Sequence, residues 1–370
     1  MESLTINDLL NKSERPEPIR SFIGFDGFID EIVHVIDNRS DVDTFTRIKT
    51  IEEYARRLMG GSGLSTNVEI VSKMRKIGGN GPNFAQALIM LGVDAVYAGS
   101  VGKDSFDPVF DEFKEATELI GLADPGFSQC FEFDDGKVIV SKLETLKEVT
   151  PELIVSKIGE ERLLKILCES ELIAMNNWTM LPHMSEIWEM ILRDYVPEMK
   201  KCCGVSDKVI FIDIADPEKR SDDDIKRALE ILGSYTEAGF KTVLGLNKKE
   251  GCEITEVLGE KIDDFAVYPL ENICRYIREK VNLTCLVVHP VDSAAVITAD
   301  QYTEVPGPYC DKPKLTTGAG DNFNAGFMFG YMNGLSLKES LRCGVGASGF
   351  YVRYARSANL KELAEFLGTF

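Results

Sequence analysis

Residues 314–327 read Lys-Leu-Thr-Thr-Gly-Ala-Gly-Asp-Asn-Phe-Asn-Ala-Gly-Phe, and this stretch decides how the rest of the chain is interpreted. Two threonines lead into Gly318, Ala319 and Gly320, and the carboxylate of Asp321 follows at once. The pattern predicts a loop that becomes a helix at the Gly-Ala-Gly step. Glycine lets backbone amides approach a ligand closely, and a helix N-terminus presents unpaired amides at the positive end of its dipole. We therefore expect an anion site suited to phosphate.

The carboxylate of Asp321 is the unusual feature of this site. A fixed negative charge beside an anion site repels the ligand, unless the charge is there to accept a proton. A base next to a bound phosphate is what phosphoryl transfer to a hydroxyl requires. The alternative is that Gly318 and Gly320 only form a tight turn and that Asp321 caps a helix. From such a short pattern alone, both interpretations stand.

The composition limits the classes of partner. The chain has 370 residues, with 41 basic and 60 acidic side chains and a net charge of −19, which argues against nucleic acid or an anionic membrane as the main partner. The nine cysteines are scattered, and with three histidines they indicate no zinc site. No signal sequence is visible in residues 1–20, and no apolar run reaches membrane-spanning length. We expect a soluble protein of the cytoplasm.

Two segments in the first quarter of the chain carry polar side chains where a ligand could bind. Residues 21–33 read as a first strand and its exit, interrupted by Asp26 and Asp30. Either acid could bind ligand hydroxyls, or serve as a turn or cap residue. Residues 78–83 read Gly-Gly-Asn-Gly-Pro-Asn before an expected helix at 84–91. Asn83 offers a donor and acceptors to a hydroxylated substrate, or it caps the helix.

From residue 160 onward, buried strands alternate with helices, which predicts parallel βα units. Strands are expected at 172–175, 209–214, 242–246, 285–290 and 294–298, and helices at 222–233 and 336–355. Open α/β sheets bind ligands at the carboxyl ends of their strands. Asn247 and Glu250 follow such a strand end, where they form either a ligand site or a helix cap with a first-turn acid.

The chain resembles the PfkB, or ribokinase-like, carbohydrate kinases. Thr-Thr-Gly-Ala-Gly-Asp at 316–321 is similar to the family's C-terminal signature, and the segments at 78–83, 91–92, 101–106 and 247–250 follow in family order. The resemblance spans about residues 21–360. It implies a three-layer α/β fold with a central, mostly parallel sheet. It further implies one domain over 1–370, with strands at about 60–77 and 128–143 forming a small β lid over the sugar site and a contact of a homodimer.

The resemblance implies an ATP- and Mg²⁺-dependent kinase of a small sugar or sugar derivative. Asp321 would be the base, with an anion hole at Gly318, Ala319 and Gly320. Asp30, Gly79 and Asn83 would hold the acceptor, with Asp26 beside them. The cofactor would be bound by Asn247, Glu250, Thr317 and Gly344, and Glu250 would reach the metal through water.

Departures from the family pattern leave alternatives open. Leu315 stands where many members have an Asp that helps to bind a monovalent cation, which puts potassium activation in doubt. Pro290 and Ser293 replace two glycines that lie under the nucleotide in relatives. A nucleoside kinase of the same family is one alternative. A non-catalytic binding or regulatory protein with the same fold is the other.

Overall fold

The computed structural model describes residues 5, 6, 8 and 18–370. The expectation for residues 1–20, including the start of the domain at residue 1, therefore lies largely outside the described part. Its strands are β1 (Arg20–Phe25), β2 (Phe28–Arg39), β3 (Phe45–Arg47), β4 (Ile70–Gly78), β5 (Asp94–Gly99), β6 (Glu118–Gly121), β7 (Gly126–Glu132), β8 (Lys137–Lys142), β9 (Leu172–Met175), β10 (Val209–Asp213), β11 (Lys241–Asn247), β12 (Cys285–His289), β13 (Ser293–Ile297) and β14 (Tyr302–Pro306). Its α-helices are α1 (Ile51–Gly60), α2 (Asn80–Met90), α3 (Asp111–Ala116), α4 (Pro151–Ile158), α5 (Glu160–Glu169), α6 (Met184–Met190), α7 (Val196–Cys202), α8 (Asp222–Ala238), α9 (Lys248–Val257), α10 (Leu270–Lys280), α11 (Ala319–Met332), α12 (Leu337–Tyr354) and α13 (Leu360–Leu367).

The larger sheet has nine strands in the order β14-β13-β12-β11-β10-β9-β1-β5-β6. The β12–β13 and β13–β14 pairs are antiparallel, and the other pairings are parallel. The apolar run in β10 illustrates why the interior strands of this sheet contain few polar residues. Ile210 and Ile212 pack into one hydrophobic core, while Val209 and Phe211 pack into a second core on the other face. A sheet buried on both faces requires apolar residues at successive positions.

The smaller sheet has β2 at its centre, and it forms the lid. Strand β2 pairs with β3, β4 and β7, and β8 pairs with β7. A separate apolar cluster holds this sheet together, with Val33, Val35 and Phe131 among its buried members. A large, mostly parallel sheet accompanied by this small sheet confirms the expected fold class.

Three boundaries differ from the sequence expectation. The lid strand expected at about 60–77 begins only at Ile70, and the segment after the first strand is itself a strand of the lid, not merely an exit. Helix α2 begins at Asn80, well before the expected Phe84, because the carboxylate of Asp26 accepts the amides of Asn80 and Gly81 at 2.9 and 2.8 Å. Within the described residues, none of the helices is both long and apolar enough to cross a membrane.

Candidate active site

A cavity of about 430 Å³ lies between the lid and the carboxyl ends of β9 to β12. Side chains and backbone from both sheets and from the start of α11 line it. Its wall comprises Phe28, Asp30, Gly79, Asn80, Asn83, Ser128, Lys137, Ile139, Ser141, Asn177, Met180, Asp213, Ala215, Asp216, Asn247, Glu250, His289, Thr316, Thr317, Gly318, Gly320 and Asp321. The structure therefore brings most of the residues singled out in the sequence to one cavity.

The signature segment turns into α11 at the bottom of this cavity. Gly318 has φ of +99°, in the left-handed region that glycine tolerates, and the helix begins at the next residue. The amide of Ala319 donates to the carbonyl of Thr316 at 3.1 Å, so this amide is used within the turn. Gly318 and Gly320 line the cavity itself. The hydroxyl of Thr317 accepts a hydrogen bond from Lys137 at 3.1 Å.

Asp321 lies in the first turn of α11 and is buried. Burial raises the pKa of its carboxyl to about 8, and the neighbouring Asp26 and Asp30 act in the same direction. Lys76 and a hydrogen bond with Asn83 oppose that rise in pKa. A carboxyl whose pKa is this close to neutrality is well matched to proton transfer.

The two acids near the first strand have different surroundings. Asp30 lines the cavity from β2, where burial raises its pKa while Lys76 and Ser128 favour its charged form. Asp26 does not line the cavity. Its carboxylate accepts hydrogen bonds from the start of α2 and from Nδ2 of Asn177 at 2.6 Å, and burial raises its pKa to about 6. Asp26 thus supports the site from behind.

Two glycines leave room for the carboxylates of the acids near the first strand. A Cβ added to Gly79, which has φ of +96°, would lie 2.7 Å from the carboxylate of Asp26. A Cβ at Gly78 would lie 2.2 Å from the carboxylate of Asp30. Any side chain at these two positions would displace an acid, so the glycines are required for the arrangement of both.

Asn247 and Glu250 form a reciprocal cap at the start of α9, and Glu250 also accepts the amide of Asp216 at 3.0 Å. Burial raises the pKa of Glu250 to about 7, against the effect of its backbone donors. Asp213, at the end of β10, has a pKa raised well above its ordinary value by burial and by the nearby Glu250 and Asp321. Among the described residues, no group of three or more His, Cys, Asp or Glu side chains is placed to enclose a metal ion.

Gly344 and His289 have contrasting surroundings. Gly344 lies on α12, and a Cβ there would meet the ring of Phe323 at 2.8 Å; it packs between helices and does not line the cavity. His289 does line it, at the end of β12, and its ring lies 4.4 Å from that of Phe323. Burial lowers the pKa of His289 to about 4, so it is neutral at physiological pH.

The sequence interpretation missed four contributors. Asn177 follows β9 with φ of +63°, and its buried Oδ1 has no hydrogen-bond partner. Asp213 ends β10 just as Asn177 follows β9, and these strand-end positions could have identified both Asn177 and Asp213 from the sequence. Lys76 and Tyr351 contact the carbonyl of Thr317 from β4 and α12, within residues 314–320, the expected anion loop, and no local pattern marks them.

A family model described as prokaryotic ketohexokinase matches residues 11–370. The chain belongs to the prokaryotic ketohexokinase family. A ketohexokinase of Haloferax volcanii is 25% identical over 355 residues, covering 95% of this chain and 92% of the relative.

Solved structures of the ribokinase type share the fold of this family member. Ribokinase of Arabidopsis thaliana, complexed with ribose and ATP, superposes with a TM-score of 0.63 at 17% identity, over 95% of this chain and 99% of the other. Adenosine kinase of Sinorhizobium meliloti gives 0.63 at 18% identity, over 94% and 98%. The nucleoside kinase of Methanocaldococcus jannaschii gives 0.60 at 16%, over 96% and 99%. The protein is an ATP-dependent carbohydrate kinase of the ribokinase-like fold, so the interpretation as a non-catalytic binding protein is set aside.

Proposed function

We propose that the protein transfers the γ-phosphoryl group of ATP to a hydroxyl of a ketohexose. The observation that carries the proposal is the shared cavity, in which the buried Asp321 at the anion loop faces the same space as Asp30 and Asn83. The carboxylate and amide oxygens can accept hydrogen bonds from several hydroxyls, and the Asn83 amide can donate one. The curated relative is a ketohexokinase, which supports this acceptor class.

The proposed transfer begins with the acceptor held by Asp30, Asn83 and the backbone near Gly79. Asp321 takes the proton of the attacking hydroxyl, whose oxygen bonds to the γ-phosphorus as the bond to the ADP oxygen breaks. Amides at Gly318 and Gly320 stabilise the charge on the transferred group. Asp26 orients the start of α2, and therefore Asn83, through its bonds to the first amides of that helix.

A hydrated Mg²⁺ fits the acids at the ends of β10 and β11. Mg²⁺ keeps several waters and is usually bound by one or two carboxylates together with substrate phosphates. Both oxygens of Glu250 already accept backbone amides, so their remaining lone pairs would bind metal-bound water. The buried carboxylates of Glu250 and Asp213 repel each other, and a divalent cation would relieve that repulsion. When bound, Mg²⁺ neutralises phosphate charge.

The acceptor class is tested with a panel of ketohexoses, aldohexoses, pentoses and nucleosides, followed by ATP consumption. We expect kcat/KM for a ketohexose to exceed that for every other class by about 10-fold or more, the scale of the net contribution of one or two hydrogen bonds. A nucleoside kinase is the second candidate, because Phe28, Ile139 and Met180 give the cavity an apolar wall on which a base could pack. Higher kcat/KM for a nucleoside would reject the ketohexose assignment.

Two further proposals concern assembly and compartment. Strand β8 lies at the edge of the lid, with Ile139 and Val140 exposed, and we propose that this edge pairs with a second copy. Sedimentation of the wild type and of Val140→Lys tests this, and a monomeric wild type contradicts it. All nine cysteines are free, consistent with the cytoplasm, and recovery of the protein outside that compartment on cell fractionation would contradict this location.

A further inference from the structure

Lys76 joins the lid to the anion loop. It lies on β4 directly across from Asp30 on β2. Its ammonium donates to the carbonyl oxygen of Thr317 at 3.2 Å and to the hydroxyl oxygen of Tyr351 at 3.0 Å. The Tyr351 hydroxyl in turn donates to the same Thr317 carbonyl at 2.8 Å. The carbonyl of Thr317 is therefore held by two donors, one from lid strand β4 and one from helix α12.

Fixing this carbonyl also fixes an amide that the proposed transfer uses. The peptide unit is planar and trans, so its N–H points away from its C=O. The carbonyl of Thr317 and the amide of Gly318 belong to one unit, and rotation of the carbonyl would turn that amide. The fit is close, because a Cβ added to Gly318 would lie 2.8 Å from the Tyr351 hydroxyl. Oriented amides are effective in catalysis because they need no reorganisation during the reaction.

Lys76 also sets the charge around the buried acids. Seven titratable side chains from the surrounding elements interact electrostatically with Asp321. They are three acids, two lysines and two tyrosines: Asp26, Asp30, Asp213, Lys76, Lys137, Tyr97 and Tyr351. Burial disfavours the charge of Lys76, but Tyr351, Asp30 and Asp321 outweigh it and raise the pKa of the ammonium. The same ammonium lowers the pKa of Asp321. Lys76 therefore remains charged beside an acid that must itself ionise.

We propose that Lys76 is a positioning residue for phosphoryl transfer, whose ammonium orients the Thr317–Gly318 peptide and supplies the fixed positive charge that allows Asp321 to ionise. Lys76 acts through the loop and through the base, and its kinetic consequences rest on the proposed function. The role is separate from acceptor recognition. Its structural consequence, a loop held in one orientation, holds whichever acceptor is used.

The kinetic test compares Lys76→Met, Lys76→Arg and Tyr351→Phe at saturating ATP and acceptor. Lys76→Met should lower kcat by about 10-fold or more, since removing one preorganised donor costs that much or more in other enzymes. It should also move the acid limb of the kcat profile to higher pH. Lys76→Arg keeps the charge and should leave the limb in place. Tyr351→Phe loses one bond to Thr317 and should lower kcat without moving the limb.

A matched control lies on the same strand. Lys73 is also on β4, its side chain is half-exposed, and its nearest acid is Glu132 at 4.0 Å. Lys73→Met should leave kcat and the pH profile unchanged. If Lys76→Met matches Lys73→Met in both, the kinetic part of the proposal is overturned. A change in kcat with no shift of the acid limb would overturn the electrostatic part.

Hydrogen exchange tests the loop without relying on turnover. Lys76→Met should speed amide exchange in residues 314–321 and leave helix α8 unchanged, because only the loop loses an anchor. Equal exchange at 314–321 in the wild type and the variant would overturn the positioning role. A wild type inactive with the whole acceptor panel would instead reject the proposed function, while the exchange result would still decide the position of the loop.

Discussion

Asn247 and Glu250 cap each other at the start of α9. The amide of Glu250 donates to Oδ1 of Asn247 at 2.9 Å, and the amide of Asn247 donates to Oε2 of Glu250 at 2.8 Å. The interpretation of this pair as a helix cap and its interpretation as a cofactor site are therefore compatible. The cap fixes the carboxylate at the cavity wall, and its free lone pairs remain available to water.

Glu250→Gln should raise the Mg²⁺ concentration needed for half-maximal activity several-fold. The substitution removes a negative charge and puts a donor where an acceptor of metal-bound water is needed. A Mg²⁺ titration of the steady-state rate checks this. The matched control is Glu253→Gln, one turn further along α9, where the acid pairs with Lys249. An unchanged titration curve for Glu250→Gln would remove Glu250 from metal binding.

Asp321→Asn should lower kcat by about 10²-fold or more, the usual contribution of a positioned general base. Binding of ATP, measured by calorimetry, should be nearly unchanged, because the amides of the anion loop are kept. Asp311→Asn changes an exposed acid in the loop before the signature and should have no effect. Turnover of Asp321→Asn within a few-fold of the wild type would show that another group is the base.

The pH profile of kcat/KM should report the carboxyl of Asp321 in the free enzyme. Because burial raises the pKa of this group to about 8, it is mostly protonated at neutral pH. The base form gains population as the pH rises, so kcat/KM should increase through that region and then level off. The profile is measured with each acceptor at subsaturating concentration. A plateau that already begins near pH 5 would contradict the raised pKa.

The same carboxyl should make the protein less stable as the pH rises. In the unfolded chain its pKa is near the ordinary value of 3.8, and in the folded protein it is about 8. Between these values the folded protein holds a proton that the unfolded chain has released, so the free energy of unfolding falls with increasing pH. The Asp321→Asn substitution removes this pH-dependent fall in the free energy of unfolding. The variant should gain thermal stability over the wild type at pH 9 relative to pH 5, and equal differences at both pH values would refute the linkage.

Replacing K⁺ by a bulky organic cation should change activity little at constant ionic strength and saturating Mg²⁺. Leu315 is buried in an apolar cluster with Ile32, Cys130 and Tyr351, so its side chain offers no oxygen ligand. A hard cation would lose hydration there without compensation. A several-fold activation that is specific to K⁺ and absent with Na⁺ would contradict this prediction.

Features encoded by neighbouring residues could be predicted from the sequence. Strand β10 is recognisable from its continuous apolar run, and α8 from the Ser221 cap followed by acids in its first turn. The anion loop is also local, because Gly318 and Gly320 provide both the turn and the open approach. The main sheet and the position of Asp321 follow from such signals together with the family resemblance.

Features that depend on distant residues could not be predicted in this way. Helix α2 begins early because its cap is Asp26, which belongs to a different part of the chain. Lys76 reaches the anion loop only because β4 pairs with β2 in one particular register. The backbone of Asn177 is left-handed, which its residue type permits but does not require. In each case the decisive partner is far away in the sequence.

The connection between β1 and β2 allows acceptor binding and support of the base to change independently in evolution. Strand β1 ends at Phe25 and β2 begins at Phe28, so the lid is joined to an interior strand of the main sheet through Asp26, which is bound to α2 and to Asn177. Asp30 lies just beyond this anchored point, on the lid. Substitutions further along the lid can therefore alter which acceptor fits while the support of the base is retained. We expect substrate range to drift among relatives more readily than catalytic competence.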